Sequence, residues 1–393
     1  MQNATAMISE LRASIQAGCQ WLAGVQVSAA NPIRPGEIGH HHEEWTGAVR
    51  GEYSSVEKQW RFFCPLWHTG QAVRAWVMAS RQGAGDWTAQ ARSGADFLLK
   101  NQREDGLILA YEDHPDKVNT SAILEGLSGL FALADFSDDR RYESAALKAV
   151  DWVADHAFQP GEGLFSDLYD PVDERFIPRG YLVKGRPLAD DAIFFEAYRR
   201  TGGKRYLEIA LAVLERLLRD ERPAGNWIDY PPCMPHLDRI HPRHAFWWGR
   251  PFLTAFKVTG EGRYFAAFKR AMEWYRHALR TDGGLFRDTS QHGNTASFRH
   301  TTSASACAAL MFMDYWRETG DESIMAPLAN ALRFCLSMQI RETREPRLKG
   351  AVIESVMNPQ GTDHAPIVIR DLGTIFLVQA ACEFIAAFGQ APD

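Results

Sequence analysis

Two aspartates stand side by side in the segment Leu188-Ala189-Asp190-Asp191-Ala192-Ile193-Phe194. A single Asp ahead of an apolar run is an ordinary helix cap or first-turn residue. A pair is more consequential, because one can cap while the other reaches a pocket. A carboxyl beside another, or set in an apolar wall, has a raised pKa and can act as a general acid. Asp191 and Asp190 are therefore candidate catalytic residues. His244 is a third, in the run His241-Pro242-Arg243-His244-Ala245-Phe246-Trp247-Trp248-Gly249-Arg250. Similar short stretches hold Trp67 and His68, Asn119 ahead of Thr120 and Ser121, Arg186, Arg299-His300-Thr301-Thr302, and His364, Arg370 and Asp371. Indole faces stack on sugar rings, while His, Arg and Asp meet hydroxyls and carboxylates, so the collection suits a carbohydrate. Arg250 has the fork geometry that a uronate carboxylate accepts, or that ties down a helix end. Trp247 and Trp248 adjoin and cannot both face one pocket, so one of them belongs to the core. For His68, His244 and His300 a structural role stands open beside a catalytic one.

Repetition is what would bring these stretches together. Thr201-Gly202-Gly203, Thr259-Gly260-Glu261 and Thr319-Gly320-Asp321 are copies of one turn, their glycines 58 and 60 residues apart. A second marker, Gly-Leu-Ile/Phe with Gly-Asn-Trp-Ile as a looser copy, recurs out of phase at Gly106, Gly163, Gly225 and Gly284, with gaps of 57, 62 and 59. Sustained self-similarity at such a period marks a repeat architecture. Within each unit apolar residues follow a helical period broken once by the Thr-Gly turn, as in Ile193, Phe194, Ala197 and then Tyr206, Ile209, Leu214, Leu217 and Leu218. Each unit is thus a helical hairpin. The hairpins fall at Trp67–Leu99, Thr120–Val153, Arg186–Arg219, Ala245–Leu279 and Ser303–Met338. Lone helices over Ile8–Leu22 and Thr374–Phe388 would pair into a sixth and close the ring. The expected architecture is an all-α (α/α)6 toroid spanning residues 1–393 as one domain, inner and outer helices alternating. In such a ring the inner helices all begin at one end, and the chemistry-bearing stretches all fall at those beginnings.

Composition narrows the class. The chain has 393 residues and a net charge of −6, without the basic balance of a nucleic-acid binder. Its longest apolar run, Ala306–Met313, is far short of the ~18 residues a membrane span needs. The six cysteines form no CxxC pair and no zinc spacing, which suits buried thiols in a cytoplasmic protein, and Glu10 and Arg12 argue against a signal peptide. No cofactor or metal is expected. His40-His41-His42 with Glu43 and Glu44 reads as a solvated loop or a lid over the ring mouth. Twelve tryptophans are an excess. Trp67, Trp247 and Trp248 belong to the pocket end, and Trp87, Trp152, Trp274 and Trp316 to packing. An anionic sugar would need a locally basic pocket, which Arg186, Arg243, Arg250, Arg299 and Arg370 would provide.

From about Trp67 to Ala386 the sequence resembles the unsaturated uronyl hydrolases, glycoside hydrolases on an (α/α)6 barrel. Leu188–Phe194 is similar to the family's segment bearing a catalytic Asp. Trp247-Trp248-Gly249-Arg250 is similar to its uronate-contacting segment, and Thr301-Thr302-Ser303-Ala304-Ser305-Ala306 to an inner helix. Asn119 stands where the family has its second Asp, and Pro251 follows Arg250 where the family continues with a second Gly. The resemblance implies vinyl-ether hydration of a Δ4,5-unsaturated uronyl residue: Asp191 or Asp190 as acid, His244 orienting water, Arg250 holding the carboxylate. Trp247, Trp248, Asn119, His68, Trp67, Arg186, Arg243 and His300 would contact the oligosaccharide. Two alternatives stand beside it. One is a polysaccharide lyase using Asn119, His68, His244, Arg250 and Tyr53. The other is a toroid that binds sugar without turning it over.

Overall fold

The computed structural model describes residues 2–37, 39, 41–112, 114–178, 185–295, 299–356 and 366–389. His40 and His364 lie outside the described residues. Thirteen α-helices are described: α1 Gln2–Val25, α2 Pro65–Arg81, α3 Thr88–Lys100, α4 Thr120–Ser137, α5 Arg140–Trp152, α6 Ile193–Thr201, α7 Lys204–Asp220, α8 His244–Trp247, α9 Pro251–Thr259, α10 Gly262–Ala278, α11 Thr302–Thr319, α12 Met325–Ser337 and α13 Asp371–Phe388. Helices α8 and α9 are one inner helix broken at Trp248–Arg250. Going round the ring, α2 packs on α4, α4 on α6 and its leading turn, that turn on α9, α8 on α11, α11 on α13, and α13 back on α2. Helix α1 packs on α13 and pairs with it as the sixth hairpin. The chain folds as an (α/α)6 toroid.

Burial separates the two layers. Inner helix α11 is buried continuously from Thr302 to Tyr315, whereas outer helix α7 buries the stripe Ile209, Ala210, Val213, Leu214 and Leu217. An all-round apolar helix must be enclosed, and a striped one lies on a surface. Helix α13 is long and apolar enough to cross a membrane, and 78% of it is buried as the last inner helix.

The two sets of repeated glycines have different physical reasons. Gly202, Gly260 and Gly320 are left-handed caps ending α6, α9 and α11, with open space where a Cβ would stand. The other set holds the units together. A Cβ on Gly106, Gly163, Gly225 or Gly283, all at positive φ, would lie 2.1–2.6 Å from a carbonyl of the next outer helix, at Lys148, Ala212, Arg270 and Asn330. Gly47 and Gly350 repeat this against Ser93 and Ala17, which completes six contacts, the last reaching α1. In the fourth unit the contact belongs to Gly283; a Cβ on Gly284, the sequence marker, would meet the Phe334 ring instead.

Short strands connect the hairpins at the end where the inner helices begin. The largest sheet runs Gln59–Arg61, Glu52–Ser54, Ile367–Arg370, Ile353–Val356, all antiparallel. It alternates faces: Glu52 meets Arg370, while Tyr53 packs on Trp60 away from the bore. This removes Tyr53 from the groups that could act as a lyase base.

Candidate active site

The inner helices begin at Pro65, Thr120, Ile193, His244, Thr302 and Asp371, and their first turns surround one end of the bore. Two of these beginnings are capped by carboxylates from the loop of the next unit. Asp167 accepts from the Ser121 N–H at 3.1 Å, and Glu354 accepts from the Ser303 N–H at 2.9 Å. Thr120 and Ser121 are thus capped rather than capping, and no side-chain cap comes from Asp190 or Asp191.

Trp67, His241, Arg243 and Trp247 form a continuous stack at this mouth. The imidazole of His241 lies parallel to Trp247, centroids 5.4 Å apart, and Trp67 meets Trp247 edge-on at 5.9 Å. The Arg243 guanidinium sits 4.8 Å from the Trp247 ring and 5.9 Å from Trp67. Arg243 is 6% exposed, its Nη1 is 3.4 Å from Ser303 Oγ, and among the described residues it has no carboxylate partner. Nδ1 of His241 accepts from the Arg243 N–H, leaving Nε2, the protonated nitrogen of the neutral ring, without a protein partner. Arg287, half-buried and 3.7 Å from Asp288, lies in the same basic surroundings, and its pKa falls to about 10 through desolvation and then through Arg243, Arg370 and Arg299, against Asp288. Like charges are crowded here, the arrangement expected around an anion.

A carboxyl pair lies between α4 and the turn that leads into α6. Asp190, 1% exposed, faces Glu125 from the second turn of α4. Burial raises both, Asp190 to about 6 against the pull of Arg186, and Glu125 well above its usual range, with Asp190 next as cause. Two carboxyls so placed share one proton near neutrality. Asn119 is fully buried beside the head of α4, its side-chain oxygen and nitrogen both without protein partners. His68 and Asp371 stand at the heads of α2 and α13 with Nδ1 2.5 Å from Oδ1 and without an aligned N–H···O direction. Native proteins leave few buried polar atoms unpartnered, and such a concentration is what a polyhydroxylated ligand would satisfy.

Close helix approach sets this geometry. A Cβ on Gly70 would lie 2.1 Å from the Gly126 carbonyl, so α2 and α4 meet backbone to backbone. Their contact aligns Gln71, whose amide donates to the Glu125 carbonyl at 2.7 Å and to Asp191 at 2.5 Å, and accepts from Gln379 of α13.

Several expected site residues lie elsewhere. Asp191 turns away from Asp190 into a second chamber of about 250 Å³, with Arg74, Arg250, Lys257 and Asp314. Arg250 is paired there with Asp314 at 2.6 Å. Asp314 lies twelve residues into α11, ~18 Å along the bore from Thr302 at 1.5 Å per residue. Arg250 therefore faces the far end of the ring, because the break after Trp247 reorients the helix. His244 is also withdrawn: its nitrogens face the carbonyls of Trp227 and Pro231, each at 3.1 Å, and Trp248 stacks on it at 4.1 Å. Burial lowers its pKa to about 3. Trp248 is the core member of the Trp pair, enclosed by Trp227, Tyr230 and His244. His300 packs edge-on against Phe334 of outer helix α12. Arg186 bonds Ser121, Asp167 and the Pro231 carbonyl, so it ties loops together and acts on Asp190 and Glu125 by charge. The residues the sequence reading missed are Glu125, His241 as a site residue, and the Asp371 partnership with His68. Glu125 is marked in the sequence as the one ionisable residue in the run from Ala122 to Leu130.

No protein-family model and no curated protein sequence matches the chain. Solved structures do match in shape. A cellobiose 2-epimerase from Bacillus thermoamylovorans B4167 superposes with a TM-score of 0.71 at 12% identity, over 98% of this chain and 100% of that one. A D-mannose isomerase gives 0.69 at 12%, over 96% and 97%. An unsaturated glucuronyl hydrolase specific for heparin gives 0.69 at 10%, over 97% and 98%. At these identities the likeness is one of fold, the six-hairpin toroid.

Proposed function

We propose that the protein is a carbohydrate-active enzyme that removes a Δ4,5-unsaturated uronyl residue from an anionic oligosaccharide by hydrating its vinyl ether. The observation that carries this reading is Arg243, a buried guanidinium between two indoles with no carboxylate partner among the described residues. A uronate carboxylate would supply the missing counter-charge while the sugar faces lie against Trp67 and Trp247. Asp190 is the acid of the same end of the bore. Its pKa raised by burial, the protonated carboxyl delivers a proton to C4 of the C4=C5 bond, and the positive charge develops at C5 and the ring oxygen. Water adds at C5 and returns its proton to the carboxyl pair. The resulting hemiketal opens and releases the neighbouring sugar. Asn119 and the Nε2–H of His241 are buried polar groups available to orient hydroxyls or the attacking water. One of the solved structures with this fold is named an unsaturated glucuronyl hydrolase, which supports the reading.

A second reading, aldose–ketose isomerisation or epimerisation, is favoured by one feature. Asp371 approaches Nδ1 of His68 and leaves Nε2 without a protein partner, which is the arrangement of an imidazole base. The isomerase and epimerase among the similar folds agree with it.

The test is a panel of unsaturated uronyl disaccharides, intact polyuronates and free aldoses. Hydration removes the ultraviolet absorbance of the conjugated double bond, a lyase creates it, and an isomerase leaves it alone while exchanging the C2 hydrogen with solvent deuterium. Loss of absorbance, abolished in Asp190→Asn, is the expected result. No change on any uronate refutes the primary reading.

A further inference from the structure

Asp190 and Asp191 are consecutive, yet they belong to different chambers. The chain achieves this by placing two non-glycine residues in succession in the left-handed region, Asp191 at φ 51°, ψ 13° and Ala192 at φ 54°, ψ 34°. L-residues avoid this region, single excursions are mostly Gly, Asn or Asp, and Ala has no side chain to support one. Such a turn persists only where its surroundings hold it. The hold is on Asp191: Arg74 Nη1 lies 3.2 Å from Oδ1, and the Gln71 amide lies 2.5 Å from Oδ2. Gln71 also donates to the backbone carbonyl of Glu125 at 2.7 Å. One side chain thus fixes both the turn that carries Asp190 and the helix position that carries its partner.

We propose that Asp191 is a positioning residue: anchored by Arg74 and Gln71, it holds the left-handed turn that presents the Asp190 carboxyl to Glu125. This rests on Asp190 being the acid. Its own carboxylate faces the second chamber and does not touch the substrate.

The experiment compares Asp191→Asn, Asp191→Gly, Arg74→Met and the double variant Asp191→Asn with Arg74→Met. On an unsaturated uronyl disaccharide turned over by the parent enzyme, each single variant is expected to lose kcat by up to ~100-fold, the cost of a displaced catalytic group, with KM within about twofold. The double variant should be no worse than the poorer single one, because both remove the same anchor. Glycine relieves the backbone, so Asp191→Gly should keep its melting temperature while losing kcat. An activity-independent readout is the carboxyl-carbon NMR titration of Asp190, assigned with Asp190→Asn. Its midpoint should move to lower pH in Asp191→Asn, since a neighbouring negative charge has gone. Parent-like kcat and an unmoved Asp190 titration in both Asp191 variants overturn the proposal. Full turnover by Asp190→Asn instead overturns the assignment of the acid, and the titration still reports whether Asp191 sets its environment.

Discussion

Nδ1 of His68, in the first turn of the first inner helix, lies 2.5 Å from Oδ1 of Asp371, the first residue of the last inner helix. Residues 303 positions apart therefore close the ring at its chemical end. Both side chains are fully buried, and burial works on them in opposite directions, lowering the His68 pKa and raising that of Asp371. Replacing one member strands the other in a dry site, which costs about 1–3 kcal/mol. His68→Asn and Asp371→Asn should each lower the urea midpoint at pH 7 by that order without changing the m-value. A parent-like midpoint in both would show that the pair does not support ring closure.

The carboxyl pair makes turnover depend on pH. Asp190 must be protonated to act, and its pKa is held at about 6, chiefly by burial. The rate at saturating substrate should be flat on the acid side and fall as pH rises through about 6. Glu125→Leu should move this limb to higher pH, because the Glu125 hydrogen bond that favours the ionised Asp190 carboxylate is lost. A limb that stays in place would uncouple the two groups.

The same shift affects stability. The folded-state pKa of Asp190 lies above its ordinary 3.8, so the native chain binds the proton more tightly than the unfolded one. Its contribution is complete below about 3.8 and is lost as pH rises through about 6. At pH 7 the buried ionised carboxyl is a burden on the order of 2–3 kcal/mol. Asp190→Asn should therefore be inactive and at least as stable as the parent at pH 7, and lose that advantage at pH 4. Calorimetric melts at the two pH values check the sign.

Arg243 and His300 should behave differently, although both were candidates for contacting substrate. Arg243→Met removes a charge-assisted contact, worth about 1.5–3 kcal/mol, and should raise KM for an anionic disaccharide ~10–100-fold. His300→Asn, next to Phe334 and away from the bore, should leave KM unchanged. Equal effects on KM would remove Arg243 from the binding site.

The two glycine sets predict unequal costs. At Gly202 only the left-handed backbone matters, so Gly202→Ala should cost ~1–2 kcal/mol. At Gly225 a Cβ would also lie 2.2 Å from the Arg270 carbonyl, and Gly225→Ala should cost at least ~3 kcal/mol through added overpacking. Thermal melts of the two variants decide it.

The ring was legible in the sequence because it rests on local, repeated physics. Helical periodicity, the Gly202, Gly260 and Gly320 caps and the recurring loop glycines each act within one unit, and their spacing survives without any knowledge of the neighbours. So did the end at which polar residues gather, which follows from the direction of the inner helices. What each polar side chain faces was decided by tertiary structure. Asp190 and Asp191 are equivalent in composition and adjacent in sequence. Only the left-handed turn, fixed by Arg74 and Gln71 from another hairpin, sends one to Glu125 and the other to Arg250. His244 and His241 are likewise three residues apart in one loop. The Trp227 and Pro231 carbonyls enclose the first, and the Trp247 face holds the second at the mouth. Periodicity specifies which residues a helix buries; the partners that meet them across the ring specify which carboxyl keeps its proton.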